Sequence, residues 1–175
     1  MQSPTKWNPK NWNIKKILKE IAIALLMIFV VSNVMSYLRK PTLESNVLPQ
    51  MEEKLLDGTL FTSEAIEGKP IIIHFWATWC PTCKLEAANI QSISEKFRVL
   101  TIAVQSGDDR EVETYMKENG LDFKVLNDID GVWAKKFKVE AFPTTFIYDS
   151  KGELRFTEVG YTTTAGILAR LKLIE

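Results

Sequence analysis

The chain has 175 residues, of which 46% are hydrophobic and 25% are charged, a composition typical of globular proteins and not of disordered ones. Its net charge of zero conceals an asymmetry: residues 1–40 carry seven basic side chains and one acidic one, whereas the remainder carries 15 basic and 21 acidic ones. An acidic main part argues against nucleic-acid binding, which requires basic charge clustered on the folded domain. Two cysteines are too few for a scaffold held together by disulfides.

An apolar run near the N-terminus predicts a membrane segment. Residues 20–38 number nineteen, which is near the lower limit for crossing a hydrocarbon core of about 30 Å at about 1.5 Å per residue. Five lysines precede the run and two basic residues follow it, so the positive-inside rule predicts that residues 1–19 form a cytoplasmic basic segment. A cleaved signal peptide and a buried helix of a soluble protein are the alternatives, although the long polar start and the missing Ala-x-Ala site disfavour the signal peptide.

Residues 39–50 predict a tether between the membrane segment and a folded domain over residues 51–175. Pro41 and Pro49 bracket this polar, glycine-free stretch, which favours an extended chain. The domain of about 125 residues is large enough to bury a core without disulfides.

Strands alternating with helices are predicted along the domain. Residues 55–61 place apolar side chains around an Asp-Gly turn, a hairpin signal, and residues 71–76 are apolar almost throughout, as in a buried central strand. A helix is expected over residues 81–97, with a proline suited to its first turn. The remaining predicted elements are strand 99–104, helix 108–120, strand 123–126, helix 132–137, strand 144–148, strand 153–159 and helix 163–173. This order indicates an α/β fold whose sheet has parallel and antiparallel members.

The only two cysteines, Cys80 and Cys83, lie in the segment Trp79-Cys80-Pro81-Thr82-Cys83 at the start of a predicted helix. Two thiols with this spacing can close and open a small disulfide ring, and a helix N-terminus lowers the pKa of the first thiol because it favours the thiolate. A structural disulfide or half of a metal site is the alternative. A zinc site needs four ligands, which two cysteines and one histidine do not supply without unusual carboxylates. We therefore predict thiol–disulfide exchange, with no metal and no cofactor besides this cysteine pair.

Two motifs together carry a family resemblance. Residues 75–83 read Phe-Trp-Ala-Thr-Trp-Cys-Pro-Thr-Cys, and residues 142–146 read Phe-Pro-Thr-Thr-Phe. The pair resembles the thioredoxin fold and, within it, the membrane-anchored TlpA/ResA/DsbE/ScsD group, over about residues 50–175. The resemblance implies a thioredoxin-like three-layer α/β/α domain with a mixed central sheet, preceded by an N-terminal transmembrane helix. It also implies a single-pass protein of the bacterial inner membrane whose catalytic domain faces the periplasm.

The resemblance assigns roles to residues around the two motifs. Cys80 is expected to be the exposed nucleophilic thiol and Cys83 the buried thiol that resolves the mixed disulfide. Pro143 is expected to be a cis-proline facing the disulfide, with the backbone of Phe142 pairing with a bound substrate. Substrate contacts are also expected from three residues of the cysteine motif, with Trp79 bordering the redox surface: Trp79, Pro81 and Thr82.

Two titratable residues are candidates for moving the proton of the buried thiol. Glu86 matches the glutamate of the group's Cys-x-x-Cys-x-x-Glu pattern, one helical turn beyond Cys83, although a glutamate on a helix surface is usually just solvated. His74 lies six residues before Cys80, where thioredoxin itself has a buried aspartate. A neutral imidazole could do the same work near pH 7, and a purely structural histidine with a core hydrogen bond is the alternative.

The expected function is disulfide exchange with exported proteins that carry thiols or disulfides. An electron-donor protein of the membrane is expected to supply the electrons that reduce the cysteine pair again. Pro81 and Thr82 add no cation or imidazole between the cysteines, unlike the Pro-His of strong oxidants, which favours a reductant or an intermediate potential. Residues 143–146 depart from the Pro-Glu-Thr-Phe of cytochrome c maturation members, which disfavours dedication to apocytochrome.

Two other classes of protein remain as alternatives. A non-catalytic adaptor of the periplasm could use the thioredoxin fold only for binding, but it would have no reason to keep both Cys80 and Cys83. A peroxidase of the peroxiredoxin kind has its cysteine in a Pro-x-x-x-Thr-x-x-Cys context, which residues 76–80 do not reproduce.

Overall fold

A computed structural model of the protein describes residues 14–66 and 68–174, which divide after Leu38 into two units. The first is a single helix, α1 (Ile14–Leu38), of 25 residues. Its most apolar stretch has a mean hydropathy of 2.3, so α1 is long and apolar enough to cross a membrane, and the predicted span 20–38 lies within it. Residues 1–13 of the predicted basic segment lie outside the described residues.

The second unit is an α/β domain built on a five-stranded mixed sheet. The strands are ordered β5-β4-β3-β6-β7, in which β4 and β5 run parallel to β3, β6 runs antiparallel to β3, and β7 runs antiparallel to β6. A separate antiparallel hairpin joins β1 and β2 across the predicted Asp-Gly turn. The elements are β1 (Glu52–Lys54), β2 (Leu60–Thr62), a 3₁₀ turn (Ser63–Ile66), β3 (Ile71–Trp76), α2 (Pro81–Ser94), β4 (Arg98–Val104), α3 (Asp109–Glu118), β5 (Val125–Asp128), α4 (Val132–Lys136), β6 (Thr144–Tyr148), β7 (Leu154–Val159) and α5 (Thr164–Lys172).

The central strand β3 is buried along its whole length and divides the core in two. Successive side chains of a strand point to opposite faces, so Ile73 and Phe75 enter a first core with α4 and the hairpin. Ile72 and Trp76 enter a second core with α2, α3 and α5, and this core includes both cysteines. The predicted three-layer α/β/α arrangement with a mixed sheet is confirmed.

The predicted tether is not a free linker along its whole length. Val47 forms a β-bridge with Glu153, and the amide of Leu48 donates a hydrogen bond of 2.9 Å to the carbonyl of Gly152. The Leu48 side chain is buried in the first core. Backbone pairing and apolar burial therefore attach the end of the predicted 39–50 segment to the sheet before residue 51.

The boundaries of several elements also differ from the prediction by one to three residues. The helix expected to end at Phe97 ends at Ser94, because the chain must turn before β4 begins at Arg98. The strand expected from Phe123 begins at Val125. The Phe123 ring instead packs edge-to-face on Trp76, with 5.8 Å between ring centroids, so the second core and not strand pairing decides its position.

Candidate active site

Cys80 and Cys83 form a disulfide at the N-terminus of α2, with 5.3 Å between their Cα atoms. Cys80 caps the helix in an extended conformation (φ −88°, ψ 111°), and Pro81 occupies the start of the helix, where its missing N–H costs no hydrogen bond. The amide of Cys83 donates a hydrogen bond of 3.1 Å to the Sγ of Cys80. The helix N-terminus is therefore directed at the first sulfur, which is the arrangement that stabilises a thiolate there.

Both cysteines are nearly closed off from solvent in this oxidised state. Cys80 is 5% exposed and Cys83 is 3% exposed, so the expectation of an exposed Cys80 is wrong for the disulfide form. The disulfide holds both residues against the second core, and local spacing in the sequence does not reveal that burial. Pro81 is exposed and Thr82 is half-buried, so the two residues between the cysteines form the outer side of the ring.

The second motif supplies a cis-proline and an aromatic contact to the first motif. The peptide bond between Phe142 and Pro143 is cis, which confirms the cis bond that was predicted there. The half-buried Phe142 ring meets the Trp79 ring edge-to-face, with 5.6 Å between centroids. Trp79 is 58% exposed, and its indole Nε1 donates to the carbonyl of Gln105 at 3.1 Å. Trp79 therefore borders the cysteine motif and is held from two sides.

Glu86 is fully buried, so the interpretation as a solvated surface residue is wrong. It lies three residues beyond Cys83 on the buried face of α2, which places it in the second core. Its Oε1 accepts a hydrogen bond of 2.9 Å from the amide of Thr162, whereas its Oε2 has no hydrogen-bond partner among the described residues. Burial raises the pKa of the Glu86 carboxyl from 4.5 to about 7, against the opposing effect of the Thr162 hydrogen bond.

His74 lies on β3, opposite Thr145 of β6, and only 2% of its surface is exposed. Its Nδ1 and the Oγ1 of Thr145 are hydrogen-bonded at 2.9 Å. Burial lowers the pKa of the imidazole from 6.5 to about 3, so the ring is neutral near pH 7 and is a weak proton acceptor there. The structure favours the core-packing interpretation of His74, and Glu86 is the better candidate for proton transfer.

We expect His74→Gln to change how stability depends on pH. Below about pH 6.5 the unfolded chain binds a proton at His74 that the folded protein does not bind until about pH 3, so stability falls as the pH falls through this window. The variant does not lose stability in this way. Its free energy of unfolding should therefore rise by on the order of 3 kcal/mol relative to that of the wild type when the pH is lowered from 7 to 4. Urea unfolding at both pH values, followed by tryptophan fluorescence, measures the difference. If the free energies of unfolding of variant and wild type differed by the same amount at both pH values, a buried neutral imidazole would be contradicted.

Sequence reasoning missed three residues that organise the site: Gln105, Thr162 and Asn89. The carbonyl of Gln105 accepts a hydrogen bond from Trp79, and the amide of Thr162 donates one to Glu86. The side chain of Asn89 donates to the carbonyl of Thr162 and so holds that segment. The sequence held a weak signal for Asn89, because asparagine is unfavourable in the middle of a helix and commonly makes a side-chain hydrogen bond there. Among residues 14–66 and 68–174, no group of three or more His, Cys, Asp and Glu side chains is placed to hold a metal ion.

The fold and the cysteine pair define a thioredoxin-like thiol–disulfide oxidoreductase. Residues 45–157 match the family described as the AhpC/TSA family, and the chain belongs to this family, in its TlpA/ResA/DsbE-like group. A thioredoxin-like protein of Haemophilus influenzae is 30% identical over 168 residues, which cover 93% of this chain and 97% of that protein.

Two further relatives bear on the chemistry of the site. The thiol:disulfide interchange protein DsbE of Tatumella citrea is 33% identical over 106 residues, covering 59% of this chain and 57% of that protein. The crystal structure of StoA from Bacillus subtilis superposes with a TM-score of 0.63 at 27% identity, covering 71% of this chain and 98% of that one.

Proposed function

We propose that the protein exchanges disulfides with exported proteins through Cys80 and Cys83. The observation that carries the proposal is the position of the Cys80 sulfur, which caps α2 and accepts the Cys83 amide. A sulfur so placed is a good thiolate when reduced, and a thiolate is the form that attacks a disulfide. The backbone beside the cis bond between the half-buried Phe142 and the buried Pro143 is the proposed place where a client chain would pair.

In the reducing direction, the Cys80 thiolate attacks one sulfur of a client disulfide. The client S–S bond breaks, a mixed disulfide forms, and the second client sulfur leaves as a thiolate that takes up a proton. The Cys83 thiolate then attacks the Sγ of Cys80, which releases the first client sulfur and closes the Cys80–Cys83 bond. Two electrons pass to the client, and the same steps in reverse insert a disulfide into it.

Glu86 is the residue proposed to accept the proton of Cys83. It lies one turn beyond Cys83 on the same buried helix face, where the two side chains are neighbours. A pKa of about 7 lets the carboxyl exist in both forms near neutral pH, which is the condition for efficient proton transfer. His74 is proposed to have a structural role, hydrogen-bonded to Thr145 across the sheet and without titrating near neutrality.

The proposed location is the inner membrane of a bacterium, with one crossing by α1 and the domain on the periplasmic or outer side. The length and hydropathy of α1 and the lysines before its apolar part support this placement. Clients would then be exported proteins with thiols or disulfides, which persist on that side of the membrane. A membrane electron-donor protein would be the partner that re-reduces the cysteine pair.

We expect the reduction potential to be that of a reductant or an intermediate carrier, between about −270 and −180 mV. Pro81 and Thr82 contribute no charged group between the cysteines, and the stabilisation that the structure shows at the Cys80 sulfur comes from the N-terminus of α2, where the Cys83 amide donates to it. Equilibration of the full chain with glutathione buffers, followed by thiol counting, measures the potential. A value near −120 mV, as in the strongest periplasmic oxidants, would contradict the reducing direction.

A further inference from the structure

Asn89 lies in the middle of α2, where asparagine is less favourable than alanine, and its side chain is engaged in tertiary hydrogen bonds. The Nδ2 of Asn89 donates to the carbonyl of Thr162 and to the hydroxyl of Tyr161, each at 3.1 Å. Its Oδ1 accepts from the hydroxyl of Thr164 at 3.2 Å. One side chain thus fastens residues 160–164, which we call the 160–164 loop, to the helix that carries the cysteines.

The 160–164 loop in turn contacts two groups of the proposed active site. The amide of Thr162 donates to the Oε1 of Glu86 at 2.9 Å. The amide of Gly160 donates to the carbonyl of Pro143 at 2.8 Å. Gly160 has a φ of 92°, a conformation that residues with a side chain rarely adopt. The loop is therefore shaped to hold the buried carboxyl and the cis-proline at the same time.

We infer that Asn89 is a positioning residue for disulfide exchange, because it holds the 160–164 loop in the place where that loop contacts Glu86 and Pro143. The inference rests on the proposed function and extends it to a residue for which the structure records no contact with either sulfur. Without Asn89 the loop loses three hydrogen bonds to α2, and the amide of Thr162 is no longer fixed on the carboxyl.

The physical consequence concerns the proton on Glu86. A hydrogen bond from an amide favours the carboxylate form, so the Thr162 amide lowers the pKa of Glu86 and partly offsets the effect of burial. Loosening the loop should therefore raise the pKa further. The substitution leaves in place the other titratable and charged side chains on the elements around α2, which are His74 on β3, Tyr115 on α3, Glu158 on β7, Arg170 on α5 and Tyr161 in the loop. Cys83 is held in the disulfide and does not titrate in the oxidised chain.

The test compares Asn89→Ala with the wild type, using the oxidised full chain in detergent micelles with ¹³C-labelled glutamate carboxyls. Glu86→Gln assigns the Glu86 signal. We expect the titration midpoint of Glu86 to rise by about one pH unit in Asn89→Ala, the size expected for one hydrogen bond to a charged group. The midpoint of the pH profile of disulfide exchange should move in the same direction. Gln91→Ala is the matched control, because Gln91 also binds another segment from α2, through Asp122, but on a different side of the helix.

If Asn89→Ala does not fold, Thr164→Val removes one of the three hydrogen bonds and should shift the same midpoint upward by less. The inference is overturned if the folded variants titrate as the wild type does, or if Gln91→Ala shifts the midpoint equally. The carboxyl titration needs no turnover. A wild type that exchanges no disulfides would therefore refute the proposed function and, with it, the inference. An unmoved midpoint beside intact exchange would refute the inference alone.

Discussion

Cys80→Ser should abolish disulfide exchange, with a rate at least about 10³-fold below that of the wild type. A serine hydroxyl at the start of α2 keeps the position but not the acidity of the thiol, so no anion is available to attack a client disulfide. Turnover of a disulfide-containing peptide by the full chain, with a thiol reductant as electron source, measures the loss.

Cys83→Ser is the matched control, because it removes the same intramolecular disulfide while it keeps the Cys80 nucleophile. This variant should attack its client once and remain joined to it, so that a mixed disulfide accumulates and is seen by mass spectrometry. The opposite pattern, with Cys83 trapping clients and Cys80 dispensable, would reverse the assigned roles. Unchanged function of Cys80→Ser in cells would favour the non-catalytic adaptor.

Glu86→Gln should make the protein more stable above neutral pH and slower in exchange. The folded protein keeps a proton on Glu86 up to about pH 7, whereas the unfolded chain loses it near pH 4.5. The native state therefore binds more protons between these values, and its stability falls as the pH rises through this window. Glutamine stays neutral, so the variant should exceed the wild type by on the order of 3 kcal/mol at pH 8 and be nearly equal to it at pH 4.

Exchange at pH 7 should fall by about 10²-fold in the same variant, because the amide cannot accept the Cys83 proton. Urea unfolding at the two pH values and peptide turnover measure the two effects. Glu95→Gln makes the same chemical change at an exposed position just after α2 and controls for the lost charge. A Glu86 variant that is less stable at pH 8 would mean that the carboxylate stabilises the fold. Unchanged turnover would remove Glu86 from the mechanism.

Elements fixed by local signals were predictable from the sequence. The strands at residues 71–76 and 144–148 have the predicted bounds, because each is a short run of β-branched, aromatic and other strand-favouring residues bounded by turn or proline signals. The start of α2 was also predictable from a local signal, since Pro81 suits the first turn of a helix and the structure has Cys80 as its cap. The cis bond at Pro143 followed from the resemblance of its motif and not from the residues themselves.

Burial around the site was not predictable in the same way. Glu86 looks like an ordinary helix glutamate, and its partner Thr162 lies 76 residues away in the chain. Cys80 was expected to be an exposed thiol, and in the disulfide form it is buried. The end of the predicted tether is part of the folded domain, because the Leu48 side chain packs in the first core. Each of these outcomes depends on which distant segments pack together, and single-residue patterns carry little information about that.

The sequence by itself determined the chemistry: two thiols at a helix start, a proline motif that follows them, and an apolar N-terminal segment of membrane-spanning length. Only the tertiary structure decided the protonation of Glu86 and His74. The pKa of Glu86 rises and that of His74 falls because packing removes water from both, and desolvation disfavours the charged form of either group. Solvent exclusion is a property of the assembled core, and no stretch of the chain has it before folding.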